Sequence, residues 1–115
     1  PEAVVEERTV TGRVSKPPTT EIQEDIREQV ANALPLLSSR VRSCYERRIK
    51  IDPTIQGRLV LEVDLTGGRV SDAFASGTIH DEELLSCVES AARKWQVPGV
   101  DGETLRLPFA LTAVE

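Results

Sequence analysis

The chain has 115 residues, 14 Lys and Arg against 19 Asp and Glu, and a formal net charge of -5. That length suffices for one self-cored domain, which removes roughly two thirds of the unfolded chain's surface from water. The acidic balance argues against a nucleic-acid partner, because phosphate binding requires a basic field.

No run of about 18 apolar residues is present to span a membrane, and no basic start followed by an apolar stretch marks a signal peptide. The chain begins at Pro1 and contains no Met. The expectation is a fragment or processed form, with any anchor lying outside this sequence.

Residues 1–19 read as a linker or an edge strand, since Val5, Val10 and Val14 alternate weakly among charged residues and Thr. Lys16-Pro17-Pro18 breaks the chain. Thr20 and Gln23 then have capping-box spacing, so a helix is expected from Thr20. Ile22, Ile26, Val30, Ala33, Leu37, Val41 and Cys44 hold one face of a 3.6-residue period. Pro35 lies within that stripe and predicts a kink or a two-helix break near Asn32 to Leu36. Tyr45 is expected to pack beside Cys44 with its hydroxyl in water. Arg40, Arg42, Arg47, Arg48 and Lys50 form the polar side, read as a solvated face or a basic docking strip. Asp52-Pro53 stops the helix.

Leu59, Leu61, Val63 and Leu65 alternate with Arg58, Val60, Glu62 and Asp64, the period of a strand with one buried face. Thr66-Gly67-Gly68 provides a hairpin turn, and Arg69 to Gly77 returns with poorer alternation that admits a bulge. Asp81 is the expected cap of a second helix, with Glu82 and Glu83 against its positive end. Leu84, Cys87, Val88, Ala91, Ala92 and Trp95 share its apolar side, and Trp95 is expected in the core. Leu105, Leu107, Phe109, Leu111 and Ala113 then alternate through a last strand. Pro108 cannot donate to a ladder, which places this strand at a sheet edge or turns that position outward.

The order predicts an α+β domain over residues 20–115, with two helices packed on one face of a roughly three-stranded antiparallel sheet and a possible extra N-terminal strand. Cys44 and Cys87 fall on facing stripes, and a disulfide between them is the leading expectation; it favours an oxidising compartment. The alternatives are two buried free thiols, or a Cys87 nucleophile with His80 as base and no third group to orient it. Closing a loop of about 43 residues restricts the unfolded chain by about 4 kcal/mol. No catalytic constellation, cofactor loop or metal set is evident: the carboxylate pairs Glu24/Asp25 and Glu82/Glu83 sit at helix starts, and two Cys with one His leave a zinc site incomplete.

Taken together, several pieces resemble the TonB-like C-terminal domain, in the cysteine-containing form called the AgmX/PglI C-terminal type. They are Cys44-Tyr45-Glu46, Asp52 to Gly57, Gly67-Gly68-Arg69-Val70, Ser76-Gly77-Thr78, Cys87, Arg93 to Pro98, and Leu107-Pro108-Phe109. The resemblance covers roughly Glu21 to Val114. Val97 stands where the family usually has an aromatic residue, and Leu107 where it has Tyr. It implies a periplasmic, non-enzymatic domain of a protein anchored in the inner membrane, linking a proton-driven motor to an outer-membrane or other periplasmic partner, as in gliding-motility machines. The motor proteins would be met through the missing N-terminal region. The partner would add an extended segment to the last strand at Arg106, Leu107, Pro108, Phe109, Ala110, Leu111 and Thr112. Residues 4–14 are a candidate for shielding that edge until a partner displaces them. The competing expectation is a static envelope scaffold that binds peptidoglycan or a neighbouring protein without transmitting work.

Overall fold

The computed structural model describes the backbone of residues 2–7, 11–14 and 20–114, and the side chains of Val5 and residues 28–113. Along the chain run β1 (Glu2–Glu7), β2 (Thr11–Val14), α1 (Thr20–Ile49), β3 (Gly57–Thr66), β4 (Arg69–Gly77), α2 (Glu82–Arg93) and β5 (Glu103–Val114). The architecture is α+β, with both helices on one face of an antiparallel sheet. The sheet order is β1-β5-β3-β4, and β2 also pairs with β5.

Strict alternation makes β3 the centre of the core: Leu59, Leu61, Val63 and Leu65 are buried, while the residues between them are not. Its neighbours continue the rows, with Leu59 opposite Phe109, Leu61 opposite Leu107 and Ala75, and Val63 opposite Leu105 and Ala73. The small side chains on β4 matter, because Ala73 and Ala75 let α2 lie close over that strand. The expected irregularity is present: the register shifts between Asp64 and Leu65, leaving Ser71 as the extra residue on β4. Its hydroxyl donates to the Asp64 carbonyl at 3.1 Å.

In α1 the buried stripe is Val30, Leu34, Leu37, Val41, Cys44, Tyr45 and Ile49. Of the kink or two-helix break expected near Pro35, the two-helix break is absent: the helix is continuous through it. Pro35 stands on the exposed side next to exposed Leu36, and Ala31, whose carbonyl it cannot serve, is also exposed. The carbonyl left without its helical partner thus lies on the solvent side, and the buried stripe on the other side holds the helix together. The Thr20–Gln23 cap and the Ile22 and Ile26 side chains lie outside the described residues. The helix closes before Asp52, whose carboxylate accepts the Thr54 amide at 3.1 Å and fixes the turn around Pro53.

Gly67 and Gly68 have φ of +61° and +78°, as the short hairpin requires. The turn is docked as well as tight. Gly68 donates to the Val100 carbonyl at 2.9 Å and accepts from the Val97 amide at 2.8 Å. The segment between α2 and β5 is thereby tied to the end of the hairpin.

Two glycine substitutions separate torsion from space. Gly77 has φ of +134°, and a Cβ there would stand 2.2 Å from the Arg58 carbonyl oxygen, whereas at Gly67 it would meet nothing within 4 Å. In urea unfolding, G77A should lose about 3 kcal/mol or more, and G67A only about 1 kcal/mol; equal losses would contradict the close approach at Gly77.

Candidate interaction edge and the helix clamp

The last strand is not at the edge of the sheet. β5 pairs with β3 from Glu103 to Leu111, and on its other side with β1 and β2. The expectation of a free outer ribbon is corrected by the N-terminal segment, which supplies backbone donors and acceptors to β5 that would otherwise face water. Glu7 is opposite Phe109 and Thr11 opposite Arg106, so the two strands run along β5 in registers that differ by one residue.

Of the sequence-predicted residues, Leu107, Phe109 and Leu111 are buried in the core, Arg106 and Thr112 are exposed, and Pro108 and Ala110 are half-buried on the open face of the sheet. Val5 is opposite Leu111 and packs half-buried against the core.

The opposite flank is partly capped by side chains. On β4 the Ala75 amide donates to a Glu89 carboxylate oxygen from α2 at 2.8 Å, and the Ala73 amide to Asp72 Oδ1 at 3.0 Å. An isolated bridge between Arg69 and Gln96 covers its start. With the bulge at Ser71, these contacts interrupt the row of β4 amides that an incoming strand would use.

Cys44 and Cys87 are bonded, with an S–S distance of 2.07 Å and Cα atoms 5.8 Å apart, and neither is free. The expected clamp between α1 and α2 is therefore present, and a Cys87–His80 nucleophile is not. His80 is exposed beside the helix cap. Two further contacts reinforce the clamp. Trp95, 1% exposed, donates its indole N–H to the Ala33 carbonyl at 2.8 Å. Arg48 spans to Asp81 at 3.1 Å and Glu83 at 2.8 Å.

The basic side of α1 is thus no continuous strip: Arg48 is occupied, Arg42 lies 3.6 Å from Glu46, and Arg47 turns onto the sulfur pair. Tyr45 also departs from expectation. It is fully buried and donates its hydroxyl to the Ile55 carbonyl, tying the end of α1 to the approach to β3, and burial raises its pKa.

Asp81 caps α2 by accepting the Leu84 amide at 3.0 Å. That hydrogen bond, with the Arg48 guanidinium beside it, holds the carboxyl below its ordinary range. Glu103 behaves oppositely. It is 4% exposed, its Oε2 has no hydrogen-bond partner, and burial raises its pKa. Sequence reasoning missed it because the alternation identifies the inward face only from Leu105 onward.

Among the described residues, no group of three or more His, Cys, Asp or Glu is placed to hold a metal ion, and no helix is long and apolar enough to cross a membrane. Comparison with protein-family models, curated proteins and solved structures finds no match in any of the three.

Replacing both cysteines by Ala, or reducing the bond, should lower unfolding stability by about 4 kcal/mol; a loss below 1 kcal/mol would show that the clamp is redundant with the Trp95 and Arg48 contacts. The two carboxylates predict opposite acid behaviour. Asp81 has a depressed folded pKa, so its contribution is complete above its unfolded value and disappears as pH falls through the folded one. Glu103 has a raised folded pKa, so its ionised form opposes folding at neutral pH, and stability is recovered as pH falls through that value. Urea midpoints measured between pH 3 and 7 should show D81A about 1 kcal/mol less stable at pH 7 with a flatter acid limb. E103Q should be more stable than wild type at pH 7, with the difference vanishing in acid.

Proposed function

We propose that this chain is a non-enzymatic, TonB-like periplasmic interaction domain of an envelope protein, and that it binds its partner by strand addition along Arg106 to Thr112. On this reading an extended segment of an outer-membrane or periplasmic protein displaces β1 and β2 from β5. Motor proteins of the inner membrane act on the parent protein elsewhere.

The observation that carries the reading is the asymmetry of the two flanks. On β4 two outward amides are capped by side chains from Glu89 and Asp72, whereas β5 holds on its outer side two short strands in registers that differ by one residue. Main-chain pairing of that kind is what a partner strand reproduces. The alternating Leu107, Phe109 and Leu111 remain anchored in the core during such an exchange, because their burial belongs to the β3 side and the helices. The Cys44–Cys87 bond suits an oxidising compartment, and the residues shared with the AgmX/PglI type agree with it.

Native-state amide exchange on the intact chain tests the exchangeable flank. Amides of β1 and β2 should open at a free energy several kcal/mol below that of β3 and the β3-facing amides of β5. If they exchange only with global unfolding, the flank is permanent and strand addition at β5 is wrong.

A further inference from the structure

The sulfur pair has a chemical setting that mechanical clamping does not require. Cys44 is 2% exposed, whereas Cys87 is half-exposed and lines a shallow depression with Glu82, Glu83, Ser86 and Ser90. Access to the bond is thus one-sided. Arg47, one turn beyond Cys44 on α1, places Nη2 3.2 Å from Cys87 Sγ and 4.0 Å from Cys44 Sγ, while its Nε donates to the Ser43 carbonyl at 3.4 Å. The neighbouring arginines at 42 and 48 meet carboxylates, but no ion pair among the described residues involves Arg47. An un-neutralised guanidinium gains little from a neutral disulfide, which is a weak acceptor. It gains far more from a sulfur that carries charge.

We propose that the Cys44–Cys87 bond is a thiol–disulfide exchange site entered at Cys87, that Arg47, within reach of both sulfurs, stabilises the thiolate released on Cys44, and that its co-reactant is a dithiol oxidoreductase. The attacking thiolate forms a bond to Cys87 Sγ. The Cys44–Cys87 bond breaks, and its electron pair leaves on Cys44 Sγ as a thiolate beside the guanidinium. The second thiol of the reductant then attacks its own sulfur in the mixed disulfide and releases Cys87 as a thiolate. The chain has gained two electrons, the reductant has become a disulfide, and the new thiolates take protons from solvent. Run backwards, the same steps install the clamp. A dithiol is required because buried Cys44, left beside the mixed disulfide, otherwise attacks Cys87 again and restores the original bond.

This inference is independent of the strand-addition reading. The test uses the intact oxidised chain, as wild type and as R47M, R47K and R42M, after each is shown to melt as one folded species. Dithiothreitol, an uncharged dithiol, reports the rate of reduction. A short exposure to glutathione, quenched in acid and mapped by mass spectrometry, reports which sulfur carries the adduct. R47M should react about three- to tenfold more slowly than wild type, R47K should keep most of the rate, R42M should be unchanged, and the adduct should sit on Cys87. An R47M rate equal to or above wild type, a matching fall in R42M, or an adduct on Cys44 would overturn the proposal.

Discussion

One apolar face of a sheet has to be covered, and neither helix is wide enough to cover it alone. α1 and α2 share the task, and the disulfide is the covalent form of that sharing: it joins Cys44 on the inner face of α1 to Cys87 at the margin of α2. The other cross-links follow the same logic. The Trp95 indole reaches the backbone of α1, and Arg48 reaches the cap of α2, so α2 is held near both its ends as well as in its middle. With only 3% aromatic residues the core is mostly aliphatic, and a cross-link that restricts the unfolded chain offsets the modest burial each aliphatic side chain provides.

The period-two run of β3, the Gly67-Gly68 turn and the stripe ending at Cys44 are legible in the sequence because each element decides its own pattern. The bond between the cysteines is legible for the same reason, since two apolar stripes without other partners must face each other. What was hidden depends on contacts between elements. Pro35 reads as a kink or a helix break until its position on the solvent side of a continuous helix is seen. Tyr45 reads as an amphipathic surface ring until the Ile55 carbonyl is found beside it.

The site was legible only in part. Arg106 to Thr112 could be picked out as a strand with a proline irregularity, but whether its flank was free could not, because residues 1–19 carry too few apolar positions to declare a strand alone. Pairing with β5 supplies what propensity does not. Likewise nothing in Glu89 marks it as the group that satisfies a strand amide 14 residues earlier. Arg47 is one of several arginines in a row, and only the spatial meeting of two helices singles it out. Each of these residues gets its role from a neighbour distant in sequence.

The capped amides of β4 have a bearing on how copies of this chain could meet. Growth into a fibre needs each molecule to offer a ribbon of unpaired main-chain groups on both sides. Here the Glu89 carboxylate occupies the Ala75 amide and Asp72 the Ala73 amide, so one side has fewer donors to offer a second copy.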